Sequence, residues 1–201
     1  MNVSPRQCER LTKLVGKEPT DIEIAIIENA TDVLKGDTGW QASFRNMLSI
    51  NGYRLEQIDL RCWYDNPTEL EKKLGKKDVI WLGGGHTYYL RWILQRSGAD
   101  SIISKLVSKG KVYAGWSAGA IMAGPTTLFF NEMGDDPADA PEMIPEGLSL
   151  TDWVVVPHRD HKDFNQGAAK TSELLQKAGY TSVLMGDQEV LVINGDQYTI
   201  I

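Results

Sequence analysis

The sequence predicts an α/β fold, a three-layer sandwich with a mostly parallel sheet between helices. Three observations carry this. From Ile22 to Gly124, apolar runs of strand length alternate with amphipathic stretches of helical period. The run Ile22, Ile24, Ala25, Ile26, Ile27 is nearly continuous, as a parallel strand covered on both faces requires. Glycine-bearing turns follow two of the strands at their carboxyl ends, where ligands bind in doubly wound sheets.

The elements follow in order. Residues Pro5 to Val15 predict a helix with Cys8, Leu11, Leu14 and Val15 on one face, stopped by Gly16. The apolar strand Ile22 to Ile27 comes next, then a polar, glycine-containing loop from Glu28 to Trp40. Gln41 to Ile50 reads as a helix ended by Asn51-Gly52, and Arg54 to Leu60 as an alternating strand. Asn66-Pro67-Thr68-Glu69 is a helix start, with Asn as cap and Pro in the first position; that helix ends near Gly75. Val79 to Leu82 is a third strand, Tyr88 to Ser97 a helix, and Asp100 to Lys109 another, closed by Gly110. Beyond Pro125, Asn131 to Gly147 is a long loop with three prolines and six acidic residues. A loop of that length is functional or mobile, and Asp135, Asp136 and Asp139 read as solvated. Trp153 to Val156 is a strand closed by Pro157-His158, and Gln166 to Ala178 is a helix. Val183 to Met185, Val190 to Ile193 and Gln197 to Ile201 are short strands, the last two joined at Asn194-Gly195.

Composition narrows the function. A chain of 201 residues, 42% hydrophobic and 24% charged, is expected to form one soluble domain, 1–201. A net charge of −6 argues against a nucleic-acid surface. No apolar run has the length of a membrane span, and Met1 to Lys17 shows no signal-peptide pattern. Cys8 and Cys62 lack metal or redox spacing, which fits a cytoplasmic protein with free thiols.

Chemistry concentrates around Gly115-Trp116-Ser117-Ala118-Gly119. Apolar β-prone residues lead into Gly-x-Ser-x-Gly, and small residues follow, the pattern of a strand turning sharply into a helix with serine at the apex. The helix would point unpaired N–H groups and its dipole at an oxyanion formed there. Leu82 runs into Gly83-Gly84-Gly85-His86, a turn that lets a ligand approach the backbone or that only glycine fits. Neither the dinucleotide fingerprint nor the Walker lysine is present. A serine nucleophile needs a base and an orienting acid. Of His86, His158 and His161, His158 is favoured as base because it lies at another strand's carboxyl end. Glu132 and Asp187 are both candidates for the acid, and the amides of Gly85 and Ala118 for the oxyanion hole.

Leu82-Gly83-Gly84-Gly85-His86-Thr87, Gly115-Trp116-Ser117-Ala118-Gly119-Ala120, Asn131-Glu132-Met133 and Pro157-His158 resemble the dipeptidase E (alpha-aspartyl dipeptidase) family of serine peptidases, relatives of cyanophycinase. The resemblance implies a class I glutamine amidotransferase-like fold, Ser117 as nucleophile and His158 as base. Family members carry an acid at both the Glu132 and the Asp187 positions; both stay open, with Glu132 ahead. The implied activity is removal of an N-terminal aspartate from a dipeptide, without a cofactor or metal. His86 stands where the family has Asn, close to the substrate. The apolar first strand of the family has no counterpart in Met1 to Pro5, so a dimer contact or rearranged strands would compensate. Arg159 and Lys162 are the candidate cations for an aspartyl carboxylate. Two further readings remain: another amide or ester hydrolase, such as a beta-aspartyl peptide hydrolase, and a catalytically silent binding protein.

Overall fold

A computed structural model describes residues 5–201. The order is α1 (Pro5–Val15), β1 (Glu23–Ile27), α2 (Gly39–Ile50), β2 (Arg54–Gln57), α3 (Pro67–Gly75), β3 (Val79–Leu82), α4 (Thr87–Arg96), α5 (Ala99–Ser108) and β4 (Val112–Gly115). There follow α6 (Ala118–Met122), β5 (Trp153–Val156), α7 (Asn165–Lys177), β6 (Thr181–Leu184), β7 (Leu191–Asn194) and β8 (Gln197–Ile200).

The pleat of β1 sorts its side chains between two cores. Ile24 and Ile26 point to one face, where Cys8 and Leu11 of α1 and Phe44 and Leu48 of α2 cover them. Ala25 and Ile27 point to the other, against Leu70 and Leu74 of α3, Leu90 and Ile93 of α4, Ile103 of α5 and Met122 of α6. Residues 24, 25 and 27 are wholly buried, which explains the unbroken apolar run.

β1 pairs in parallel with β2 and β3, and β3 with β4, giving the order β2-β1-β3-β4. β5 and β6 form a separate parallel pair and β7 and β8 an antiparallel one. This parallel sheet with helices on both sides is the expected α/β architecture. Among the described residues β4 and β5 share no ladder. No described helix is long and apolar enough to cross a membrane.

Several local expectations are corrected. β2 ends at Gln57 because Leu60–Trp63 forms a 3-10 turn capped by the Asp59 carboxylate. Asn66 sits at the α3 cap position, but its side chain accepts no capping bond. Leu14 of α1 is exposed rather than packed with Cys8 and Leu11. The β7–β8 turn is Gly195-Asp196, because Asn194 is already paired with Gln197.

The acidic loop is tied down rather than free. Thr126 and Glu146 form a bridge, and the Thr127 hydroxyl and N–H donate to Ile144 and Pro145 carbonyls. Asp135 accepts from the Thr87 N–H at the start of α4 at 2.8 Å, and Asp136 caps the turn Pro137–Asp139. These carboxylates therefore hold structure and are not simply solvated.

Candidate active site

β4 ends at Gly115, and the chain reverses into α6 within two residues. The reversal places Ser117 at φ 52° and ψ −117°, a strained position for a side chain and the expected shape of a nucleophile turn. Gly119 makes the turn possible: a Cβ there would run into the Leu82 carbonyl on β3. α6 has only five residues, so its dipole is small. Any oxyanion stabilisation rests on individual amides rather than on the helix as a whole.

The Ser117 Oγ lies 2.8 Å from His158 Nε2, and His158 Nδ1 lies 2.7 Å from Asp187 Oδ1. His158 follows β5 and has φ 69°, a second strained residue in the same chain of contacts. The Phe164 ring packs on the imidazole at 5.2 Å between centroids. An imidazole bonded to a hydroxyl on one nitrogen and to a carboxylate on the other can take the hydroxyl proton, with the resulting charge balanced by the carboxylate.

Asp187 reaches His158; Glu132 does not. Glu132 sits exposed on the turn Phe130–Met133, with Oε1 3.4 Å from Asn131 Nδ2. Placing Glu132 ahead of Asp187 is therefore corrected by the geometry. The turn carrying Glu132 packs against α7, where its carbonyl fills the space beside Gly167. His161 faces Asp163 and Phe164.

Sequence reasoning missed the groups that hold Asp187. The Asp160 carboxylate accepts from the Asp187 N–H at 2.9 Å, and this bond holds its carboxyl below the usual range. Glu189 accepts from the Gly186 N–H at 2.8 Å and from Arg159 at 2.8 Å, with the same effect on its carboxyl. Only the opposite charges of Arg159 and Glu189 could have hinted at this in the sequence. Arg159, half-exposed, also donates to the Leu184 carbonyl, so its guanidinium is already matched. Lys162 is exposed.

The glycine turn borders the serine. A Cβ on Gly84 would lie 3.1 Å from Ser117 Cβ. Gly85 has φ 136°, and a Cβ there would collide with the backbone of Ala30, so no other residue fits. Among the described residues, the N–H groups of Gly85 and Ala118 donate to no protein acceptor. His86 is buried, and its Nδ1 caps α4 by accepting from the Tyr89 N–H at 3.2 Å. Its Nε2 faces Asp139 at 3.7 Å and has no hydrogen bond. The ring expected to meet substrate is thus engaged in helix capping. No three His, Cys, Asp or Glu side chains gather as a metal site among the described residues.

The model of peptidase family S51 matches residues 7–201. This chain belongs to that family. It is a serine-type peptidase. It is 27% identical over 198 residues to an uncharacterized peptidase of Listeria monocytogenes serovar 1/2a, covering 98% of this chain and 91% of the relative. Peptidase E of Shewanella baltica strain OS185 is 25% identical over 81% of this chain and 76% of its own. Peptidase E of Haemophilus influenzae is 43% identical over 81 residues, 40% of this chain and 35% of that protein. A crystal structure of a candidate peptidase E from Listeria monocytogenes EGD-e superposes with a TM-score of 0.82 at 25% identity, covering 96% of this chain and 91% of that one. A peptidase from an acI-B1 Actinobacterium shares the fold, with a TM-score of 0.71 at 22% identity over 100% of this chain and 84% of its own.

Proposed function

We propose that this peptidase cleaves small peptides, dipeptides with an N-terminal aspartate foremost, through an acyl-enzyme on Ser117. The unbroken chain Ser117–His158–Asp187, with separations of 2.8 and 2.7 Å, carries this reading. His158 Nε2 takes the Ser117 proton as Oγ attacks the scissile carbonyl carbon. The oxyanion is met by the N–H groups of Gly85 and Ala118. His158 then gives its proton to the leaving amine, and the C–N bond breaks. Water enters, loses a proton to His158 and attacks the ester carbon; the acid leaves and Ser117 regains its proton. Asp187 orients the imidazole and balances its charge throughout.

The name peptidase E among the relatives supports a peptide substrate. The aspartyl preference needs a cation, and we assign it to Arg159, whose partner Glu189 would exchange for the substrate carboxylate. A fluorophosphonate probe tests the nucleophile: labelling is expected in the native protein and absent in Ser117→Ala. Folded protein that resists labelling would leave the acyl-enzyme without support. A panel of Asp-Xaa, beta-Asp-Xaa and neutral dipeptides tests the substrate class. Arg159→Ala is expected to raise KM for Asp-Xaa more than for neutral dipeptides. Equal losses on both would remove the specificity role and leave Arg159 as a tether of the Asp187 loop.

A further inference from the structure

In the reaction proposed above, His158 gives its proton to the leaving amine. The leaving nitrogen must then come within about 3 Å of His158 Nε2. The oxyanion is met by amides in the turns after β3 and β4. The leaving residue therefore extends to the other side of Ser117, over the segment that follows β5.

That segment consists of two consecutive turns. The His161 N–H donates to the His158 carbonyl at 3.1 Å, and the Phe164 N–H to the His161 carbonyl at 3.0 Å. Two steps of three residues thus gather three rings. Their centroids lie 5.2 Å apart for His158 and Phe164, 5.0 Å for His161 and Phe164, and 6.1 Å for His158 and His161. Phe164 packs on both imidazoles and so holds His161 beside the base.

His161 keeps one nitrogen unused. Its Nδ1 accepts from the Asp163 N–H at 3.3 Å. In a neutral imidazole the other nitrogen then carries the hydrogen. That nitrogen, Nε2, has no hydrogen-bond partner among the described residues, and the side chain is 35% exposed. The charged groups nearby are engaged or turned away. Asp163 Oδ2 stands 4.0 Å from Nδ1, at the far edge of the ring from Nε2. Asp187 is bonded to His158, and Asp160 to the Asp187 N–H. Arg159 turns the other way, to Glu189 and the Leu184 carbonyl. Lys162 is exposed.

The carboxylate of a dipeptide lies two bonds beyond its scissile nitrogen, about 3 Å further on. Measured from His158 Nε2, that is a reach of about 6 Å. His161 stands at that range, 6.1 Å from His158 between ring centroids. We propose that the His161 Nε2–H receives the free α-carboxylate of the leaving residue, and that this contact selects dipeptides over longer peptides and peptide amides. A carboxylate accepts a charge-assisted bond there, which a neutral amide carbonyl does not. The inference rests on the acyl-enzyme reading and names the leaving-residue side of the same site.

Hydrolysis of Asp-Leu, Asp-Leu amide and Asp-Leu-Gly at the Asp–Leu bond tests it. The native protein should favour Asp-Leu in kcat/KM by about tenfold or more, as a hydrogen bond to a charged group would. His161→Phe keeps an aromatic ring against Phe164 and removes the donor. It should level the three substrates, with the loss falling on KM for Asp-Leu. His161→Gln, whose side-chain amide donates, should restore part of the preference. Lys162→Met should keep the preference in full. Cleavage of all three alike by the native protein would overturn the proposal, and so would an undiminished preference in His161→Phe. A preference lost in Lys162→Met but kept in His161→Phe would overturn it in favour of Lys162. Protein that labels at Ser117 yet cleaves none of the three would overturn the dipeptide reading together with this inference. Cleavage without preference overturns this inference alone.

Discussion

Ser117 and His158 both have positive φ, at 52° and 69°, and each such position costs of order 1–3 kcal/mol that the surrounding packing must offset. The packing that does so is local. Gly119 lies against the Leu82 carbonyl, so Gly119→Ala should push α6 away from β3, lower Tm and remove probe labelling of Ser117. Unchanged labelling would show that the turn tolerates a Cβ. Asp187 and Glu132 differ in one decisive respect: only Asp187 touches the imidazole. Asp187→Asn is expected to lower kcat by about ten-thousandfold, the loss typical when the orienting acid of such a triad is neutralised. Glu132→Gln should change kcat little. The reverse ranking in dipeptide assays would reassign the acid.

At the scale of the element, short tethers do what long elements do elsewhere. Residues Gly186 to Glu189 form no helix or strand, yet Asp160, Arg159 and Glu189 fix them next to His158. The Asp160 and Glu189 carboxyls are both held below their usual range by backbone N–H bonds, so both tethers persist at neutral pH and are lost as pH falls through those lowered values. α4 depends on a different cap. His86→Ala should cost about 1 kcal/mol through loss of the Nδ1 acceptor, whereas His86→Asn should retain it. Equal Tm losses in the two variants would exclude capping as its main role. Asp59 anchors the turn after β2, accepting from Arg61 and Asn29, and Arg61 foremost lowers its pKa from 3.8 to about 2. A lowered carboxyl pKa contributes stability above the unfolded value, and that contribution fades as pH drops from 3.8 toward about 2. Asp59→Asn should therefore flatten the fall of Tm in that window. The side chain is 41% exposed, so solvent screens the effect. Parallel Tm curves for the two proteins would sink this account.

Across the whole molecule, two apolar cores on either side of β1 carry the stability, and the long acidic loop is part of one of them. Phe130, at the start of the turn Phe130–Met133 that opens that loop, is wholly buried in the core formed by α4, α6 and α7. Phe130→Ala should cost about 3–5 kcal/mol, as removal of a buried aromatic side chain does. Denaturant unfolding measures it, and a loss under 1 kcal/mol, about that of a surface change, would show that the loop is not integral to the core. The same docking brings Asp135 onto the first turn of α4 and leaves Asp139 facing His86.

Sequence alone determined what depends on neighbours along the chain. The apolar run of β1, the Gly-x-Ser-x-Gly turn and the helix boundaries at α1 and α3 follow from residues a few positions apart, whose sterics and burial are local. It also marked Ser117 and His158, because both stand at strand ends. Only the tertiary structure brought Asp187 rather than Glu132 to His158, set Asp160 and Glu189 around Asp187, turned His86 into a cap and, among the described residues, left β4 and β5 without a ladder between them. Each of these depends on a distance across the fold, between groups brought together by packing rather than by spacing in the chain.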